Sequence, residues 1–263
     1  MIENKKEFKL ITKKNPKSLL PNALTIFGVC LGLSSIKFAL DTNYAISVIA
    51  IGFAAILDTL DGRVARLIKG TSKVGKELDS LTDVISFGVA PGFIMYFWAL
   101  NEIGKFGWMF VLIYTVCCAL RLARFNLTTI EENESWKINF FEGVPSPAGA
   151  GLVLLPLILS LSGLVQFENF VILSSITILT TSILMVSKLP TYSLKRILIP
   201  RHLTIFLLLG IGIYVSLLIF YTFETLFFSG IAYFVLIPIS YFHYKYKSKT
   251  LLAVNEEETE DVL

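Results

Sequence analysis

Charged residues are scarce in this chain. Asp, Glu, Lys and Arg make up 16% of the 263 residues, whereas roughly 25% is usual for soluble domains. Hydrophobic residues make up 54%, and the mean hydropathy is +0.70. A water-soluble fold of this length cannot hide so much apolar surface, since folded chains of this size still expose much of their area. The composition therefore excludes a soluble globular domain and a disordered chain, and it indicates a polytopic membrane protein.

Histidine and cysteine are also scarce. The histidines are His202 and His243, and the cysteines are Cys30, Cys117 and Cys118. The cysteines lie within apolar runs, so we interpret them as small core residues rather than disulfide partners or metal ligands. With only two histidines, a histidine metal site or a Ser-His-Asp triad is not favoured. The net charge of +3 is too small to indicate a nucleic-acid partner.

Long apolar runs dominate the rest of the chain. A membrane-spanning helix needs about 20 mostly apolar residues. The sequence predicts eight such runs, at about residues 23–40, 44–67, 83–100, 107–126, 148–164, 169–187, 203–220 and 226–243. Near-continuous apolar stretches favour helices over strands of alternating hydrophobicity. We therefore expect an all-α transmembrane helix bundle with about eight spans.

Lysine and arginine concentrate on one side of the predicted membrane. They cluster near the start of the chain, in the loops after the second, fourth and sixth runs, and after the last run, while the alternate loops hold only Lys105. The positive-inside rule then places both termini in the cytoplasm, with the bundle in the cell (inner) membrane. We expect a cytosolic basic leader over residues 1–21, a transmembrane domain over residues 22–243 and a disordered cytosolic tail over residues 244–263.

Four aspartates interrupt the apolar pattern. Asp58 and Asp61 lie near the end of the second run, and Asp79 and Asp83 lie at the start of the third. Each ionised Asp deep in a bilayer costs about 2.5–3.5 kcal/mol on insertion scales. On helices, the first two share one face and the last two, four residues apart, share another. Since a short loop makes the two helices antiparallel neighbours, we expect the four carboxylates to converge.

Converging carboxylates without a matching cluster of bases require cations between them. Hard oxygen ligands suit Mg²⁺ or Mn²⁺, and two such ions would create a site for a pyrophosphate. The small residues Gly62, Ala65 and Gly75 would let a base or a sugar approach the helix backbone closely. Arg66 could give a bidentate contact to a phosphate oxygen, and Ser72 could add a hydroxyl. The cluster therefore predicts a metal-dependent site for a diphosphate substrate at the cytosolic edge.

The acidic cluster is also compatible with two different roles. The aspartates could cap helices and pair with nearby arginines, which accounts for Asp79 alone but not for four such residues. A proton or cation transporter also carries carboxylates within the membrane. Transport carboxylates usually scatter over several helices near the midplane, whereas these crowd two adjacent helix ends.

The spacing of these residues resembles the signature of the CDP-alcohol phosphatidyltransferases. The pattern is Asp58-x2-Asp61-Gly62-x2-Ala65-Arg66-x8-Gly75-x3-Asp79-x3-Asp83. The pattern fixes eight positions. If each residue type has a frequency of roughly 5%, the probability of a chance match at any given starting residue is on the order of 10⁻¹⁰. The resemblance implies that Asp58, Asp61 and Asp79 bind a two-metal centre. It implies that Asp83 is both a ligand and the general base.

The same resemblance implies contacts to the CDP-diacylglycerol substrate and an oligomeric state. Gly62, Arg66 and Ser72 would hold the CDP part, next to Ala65 and Gly75. The stretch Asn22-Ala23-Leu24-Thr25 matches an Asn-x-x-Thr pattern that contacts the nucleotide in the family, so Asn22 and Thr25 join the substrate site. The resemblance also implies a homodimer.

Three further stretches resemble the integral-membrane phosphatidylserine synthases of that family. They cover residues 79–91, 120–126 and 141–149. This implies transfer of a phosphatidyl group from CDP-diacylglycerol to L-serine, with CMP as the second product. Arg121, Arg124 and Asn126 are then candidates to bind serine, although membrane anchoring explains the two arginines as well. Another acceptor (glycerol 3-phosphate, inositol or choline) stays open, because charge type alone does not identify the acceptor.

Overall fold

The structure is a computed structural model that describes residues 19–68, 73–127, 140–165, 169–192 and 203–260. The described chain is mainly helical. In chain order the helices are α1 (Leu19–Leu40), α2 (Tyr44–Leu67), α3 (Lys73–Asp83), α4 (Ala90–Trp98), α5 (Lys105–Leu127), α6 (Ser146–Val153), α7 (Leu155–Ser162), α8 (Phe170–Val186), α9 (Thr204–Phe220) and α10 (Thr222–Glu260). A π-helical turn, Val84–Val89, joins α3 to α4, and a 3₁₀ turn, Leu100–Ile103, precedes α5. Two short strands, β1 (Phe140–Glu142) and β2 (Pro190–Tyr192), pair antiparallel.

The lengths of the apolar helices decide how many can cross a membrane. Among the described residues, five stretches are long and apolar enough: Leu19–Leu40, Tyr44–Leu67, Val74–Trp98, Lys105–Leu127 and Thr222–Lys247. Helices α8 and α9 are apolar but have 17 residues each, which is about 25 Å at 1.5 Å per residue. The hydrocarbon core is about 30 Å thick. The all-α, multi-pass architecture is confirmed, whereas the predicted count of eight spans is not.

The predicted span at residues 148–164 is divided into two short helices. Helices α6 and α7 meet at Leu154. Pro156 follows, and because it has no N–H it cannot donate to the carbonyl of Leu152, four residues earlier. Gly163, with a φ of 69°, then ends α7. The proline interrupts a run that hydropathy alone treats as continuous.

The first and last described helices extend into the two predicted end segments. The sequence predicts a disordered tail over residues 244–263, but helix α10 continues to Glu260. No glycine or proline follows Pro238, and the Lys, Leu, Ala and Glu residues beyond it are strong helix formers. At the other end, α1 begins at Leu19, inside the leader predicted over residues 1–21. Residues 1–18 of that leader lie outside the described residues.

The buried core lies where α4, α5, α6 and α8 pack together. Its largest fully buried side chains include Ile94, Tyr114, Val153, Ile178 and Met185. Helix α1 packs against α2, α3 and α4 at the side of this core. Helix α9 buries no residue, as expected of a helix surrounded by lipid. The arrangement brings the acidic segments of α2 and α3 together beside α1.

Helix α1 lies unusually close to the π-helical turn. A Cβ on Gly32 would lie 2.5 Å from Oγ of Ser86 and 2.9 Å from its Cα, so a side chain there would push the two helices apart. The Ser86 hydroxyl also donates to the carbonyl of Gly28, at 3.3 Å. This contact holds the chain just after Asp83 against α1, and so it positions the last aspartate of α3.

Candidate metal and substrate site

Three aspartates from two helices meet at one point. Carboxylate oxygens of Asp58 and Asp61 on α2 and of Asp79 on α3 all lie within 4.8 Å of one another. Asp61 is buried, and the other two are half-buried. The expected convergence of the two acidic stripes is therefore present in the fold.

Asp83 extends this cluster. It is the last residue of α3, and its carboxyl group lies beside that of Asp58. Its Oδ1 atom is buried and has no hydrogen-bond partner among the described residues. A buried polar atom without a partner is costly, so this oxygen needs a proton, a cation or a polar group that the described chain does not supply.

The donor set of the acidic cluster fits a divalent cation. Within the described residues, no lysine or arginine forms an ion pair with Asp58, Asp61, Asp79 or Asp83. Oxygen-only ligands of this kind suit Mg²⁺ and Mn²⁺ better than softer metals. Four crowded carboxylates repel one another, and a divalent cation between them removes that repulsion. The cluster is therefore able to hold divalent metal.

Helix α1 contributes a hydroxyl group to the cluster. The Oγ1 atom of Thr25 lies 2.6 Å from Oδ2 of Asp61 and 3.0 Å from the carbonyl oxygen of Pro21. The side chain is buried between the helices, so its contact with the carboxylate is shielded from water. The Asn-x-x-Thr stretch thus reaches the acidic cluster through Thr25, while Asn22 lies half-buried one turn earlier.

The predicted nucleotide contacts on α2 and α3 are exposed or half-buried where the structure describes them. Among the described residues, a Cβ on Gly62 would meet nothing within 4 Å outside its own stretch of helix, so the helix surface is open there. Arg66 is exposed, and its Nε donates to the carbonyl of Gly62 at 3.0 Å. Ala65 and Gly75 are half-buried. Ser72 lies outside the described residues, and the nucleotide role of the whole set stays a prediction.

Arg121 on α5 is buried next to the acidic cluster. It is 6% exposed, and its Nη1 donates to Oγ of Ser146 at 2.7 Å. The guanidinium group lies within electrostatic range of Asp58 and Asp83. An arginine that anchors a helix to the membrane surface would keep its guanidinium group in water. Burial therefore argues against the anchoring interpretation for Arg121.

Arg124 and Asn126 have other partners in the structure. The guanidinium group of Arg124 donates to the carbonyl of Val186 at 2.8 Å and to that of Ser187 at 3.1 Å, which caps the end of α8. The amide of Asn126 donates to the hydroxyl of Ser80 at 2.9 Å. These contacts join α5 to α8 and to α3, so the three candidate serine ligands contact different parts of the structure.

A proline explains a buried hydrogen bond just after Asp83. Pro91 has no N–H and cannot donate to the carbonyl of Phe87, four residues earlier. The hydroxyl of Tyr114, which is fully buried, donates to that carbonyl instead at 2.6 Å. The π-helical turn lies at the same place, and such turns are frequent at functional sites. Sequence reasoning missed Tyr114, and the position of Pro91 was the available signal.

Residues 18–187 match the family model of CDP-alcohol phosphatidyltransferase. The chain belongs to this family. The match includes the acidic cluster, Thr25 and Arg121, whereas α9 and α10 lie beyond it. The CDP-alcohol phosphatidyltransferase family generally uses divalent metals. The acidic cluster of this chain, which is able to hold such a metal, agrees with membership in that family.

Several similar proteins carry the name CDP-diacylglycerol–serine O-phosphatidyltransferase. The one from Mycobacterium leprae is 39% identical over 185 residues, which is 70% of this chain and 61% of the relative. The one from Helicobacter pylori is 43% identical over 145 residues, or 55% of this chain and 60% of the relative. The one from Bacillus subtilis is 36% identical over 178 residues, or 67% of this chain and 92% of the relative. The chain therefore spans less than two thirds of the length of the first two.

Proposed function

We propose that this protein transfers the phosphatidyl group of CDP-diacylglycerol to the hydroxyl group of L-serine, which gives phosphatidylserine and CMP. The observation that carries the proposal is the meeting of Asp58, Asp61 and Asp79 within 4.8 Å, with Asp83 beside them. The names of the Mycobacterium, Helicobacter and Bacillus relatives support serine as the acceptor.

The acidic cluster is proposed to hold two divalent cations, Mg²⁺ or Mn²⁺. The residues that would bind them are Asp58, Asp61, Asp79 and Asp83. When bound, the cations would offset the negative charge of the diphosphate and of the departing nucleotide. Support comes from the oxygen-only donor set and from the buried Oδ1 of Asp83, which lacks a partner among the described residues.

Asp83 is proposed to be the general base. A serine hydroxyl is a poor nucleophile, so a base within hydrogen-bond reach is needed. The Asp83 carboxylate takes the hydroxyl proton, and the serine oxygen attacks the phosphorus atom that bears the diacylglycerol. A new P–O bond forms, the P–O bond to CMP breaks, and CMP leaves with the electron pair. A direct displacement of this kind needs no phospho-enzyme.

The CDP part of the donor is proposed to lie over α2 and the start of α3. The proposed contacts are Asn22, Thr25, Gly62, Ala65, Arg66, Ser72 and Gly75. The open surface at Gly62 supports this placement, because a flat base or a sugar needs room beside a helix backbone. Arg66 is exposed next to that surface and has the geometry to bind a phosphate oxygen.

Arg121 is proposed to bind the serine carboxylate. Serine is a zwitterion, so its site needs a cation, and Arg121 is a buried one near Asp83. We leave Arg124 and Asn126 out of the serine site because Nη1 and Nη2 of Arg124 and Nδ2 of Asn126 donate to other groups of the protein. A cation in this place would also suit glycerol 3-phosphate, so that compound is one of the acceptors to be tested.

The orientation and the assembly are part of the same proposal. The acidic cluster and both termini would face the cytoplasm at the cell (inner) membrane, and the protein would work as a homodimer. The concentration of lysine and arginine in alternate loops supports the orientation. Reporter fusions at the two ends of the chain and chemical cross-linking in membranes would test both statements.

The deciding experiment measures CMP release from CDP-diacylglycerol by the purified full chain. We expect release that requires both L-serine and Mg²⁺ or Mn²⁺, with phosphatidylserine as the lipid product. Parallel reactions contain glycerol 3-phosphate, inositol or choline in place of serine. CMP release with one of these compounds but not with serine would show that this compound, rather than serine, is the acceptor. The absence of release with all four acceptors would reject the transferase and favour a cation-coupled transporter.

A further inference from the structure

Two buried polar atoms and the Nε atom of one guanidinium group have no hydrogen-bond partners among the described residues. They are Oδ1 of Asp83 on α3, Nε of Arg121 on α5 and the hydroxyl of Tyr233 on α10. Arg121 lies within electrostatic range of both other residues. Buried polar groups are normally paired, so each exception needs an explanation. The proposed cations account for Oδ1 of Asp83, so the two remaining donors, Nε of Arg121 and the hydroxyl of Tyr233, indicate a place for an anionic ligand.

The Nε side of the Arg121 guanidinium group is the side that is left for a ligand. Its Nη1 is held by the hydroxyl of Ser146 at 2.7 Å, while Nε has no partner among the described residues. The Nε edge of a guanidinium group can bind a carboxylate through two parallel hydrogen bonds. Ser146 begins α6, so it fixes the guanidinium group from one side and leaves that edge for a ligand.

Tyr233 reaches the same place from a different part of the chain. Helix α10 packs against α7 and β2, and the ring of Tyr233 lies beside Thr191 of β2. Thr191 donates its own proton to the carbonyl of Gly143 at 2.8 Å. The Tyr233 hydroxyl lies near the Thr191 side chain, but no aligned hydrogen bond joins it to a described residue, so this hydroxyl is able to donate to an anion.

We propose that Tyr233 is a specificity-determining residue for the acceptor. Its hydroxyl donates to the carboxylate of the amino-acid acceptor, which the Nε edge of Arg121 binds at the same time. This inference rests on the proposed function, and it adds to the site a helix that lies outside the matched residues 18–187. An acceptor without an anionic group would leave both donors unpaired, which discriminates strongly against it.

The test is the conservative substitution Tyr233→Phe, which removes one oxygen atom and keeps the ring. The matched control is Tyr241→Phe, a tyrosine on the same helix that is 39% exposed. We expect the KM for serine to rise about tenfold or more in Tyr233→Phe, since a hydrogen bond to a charged group is lost. The KM for CDP-diacylglycerol and the unfolding temperature stay at the wild-type values.

A second measurement separates recognition of the carboxylate from a structural effect. L-serine amide keeps the hydroxyl and the amine of serine but lacks the negative charge. We expect the wild-type chain to have a higher kcat/KM for serine than for the amide, and we expect this preference to fall in Tyr233→Phe but not in Tyr241→Phe. A structural defect would lower both rates together and leave the preference unchanged.

Each outcome decides one of the two proposals. An unchanged KM for serine in Tyr233→Phe, an unchanged preference for serine over the amide, or an equal change in Tyr241→Phe would overturn the role of Tyr233. These results would leave the proposed transferase activity intact. A wild-type chain that releases no CMP with serine would instead overturn the proposed function.

Discussion

The hydroxyl of Thr25 lies 2.6 Å from Oδ2 of Asp61, and this contact joins the first helix to the acidic cluster on the second. Both residues are buried, Thr25 at 5% exposure and Asp61 at 4%. A hydrogen bond to a carboxylate is stronger away from water, and it orients the oxygen that remains for another ligand. Helix α1 therefore belongs to the site, although it carries none of the four aspartates.

Replacing Thr25 by valine tests this contact. Valine keeps the shape of the side chain and removes the hydroxyl that touches Asp61. Groups that orient metal ligands typically change the metal affinity about 10- to 100-fold when they are lost. We expect the Mn²⁺ concentration for half-maximal activity to rise by such a factor, while Thr25→Ser stays close to the wild type. Equal metal requirements in the valine and serine variants would show that the hydroxyl has no such role.

Replacing Asp83 by asparagine tests the general base. Positioned bases contribute about 10²- to 10⁴-fold to the rate, so we expect the turnover number of Asp83→Asn to fall at least about 100-fold. Binding of a CDP nucleotide, measured by calorimetry, is retained. Glu77→Gln is the control, because Glu77 is an exposed carboxylate on the same helix. Near-wild-type turnover of Asp83→Asn would refute the assignment.

Replacing Tyr114 by phenylalanine tests the buried hydrogen bond to the carbonyl of Phe87. The variant leaves the carbonyl of Phe87 without its donor, since Pro91 supplies none. An unsatisfied buried carbonyl costs about 1–3 kcal/mol in the free energy of unfolding. We expect the unfolding temperature in detergent to fall in Tyr114→Phe and to stay unchanged in Tyr96→Phe, a half-buried tyrosine of α4. Equal temperatures for both variants would contradict this role of Tyr114.

The two arginines of α5 are expected to respond differently to substitution. Arg121→Lys loses the planar fork that binds a carboxylate, so the KM for serine rises, roughly tenfold. Arg124→Gln loses two hydrogen bonds to the end of α8, so its unfolding temperature falls while its KM for serine stays unchanged. Steady-state kinetics and thermal unfolding of both variants provide the check. An increased KM in Arg124→Gln would return that residue to the serine site.

The sequence predicts those parts of the site that depend on local helical spacing. Asp58 and Asp61 are three residues apart, and Asp79 and Asp83 are four apart, so their shared faces follow from 3.6 residues per turn. A short connection then brings the two faces together. The same spacing makes Arg121 and Arg124 equivalent, because both lie on one face of α5. Packing of α6 and α8 against α5, which no local pattern encodes, gives the two arginines different hydrogen-bond partners.

Other features depend on contacts between distant parts of the chain. Tyr233 approaches Arg121 although 112 positions separate them in the sequence, and its apolar surroundings in α10 give no sign of this. The division between α6 and α7 had a visible cause in Pro156, but a window of mean hydropathy averages a single proline away. Mean hydropathy also does not distinguish the short helices α8 and α9 from the long ones. It therefore predicts eight spans.

Metal binding by purified protein in detergent tests the central claim most directly. After removal of metal with a chelator, Mn²⁺ is titrated into the wild-type chain and into the double variant Asp61→Asn/Asp79→Asn, with Glu77→Gln as the control. We expect about two Mn²⁺ ions per wild-type and control chain, and a loss of this uptake in the double variant. Equal uptake by the wild type and the double variant would contradict a metal site formed by α2 and α3.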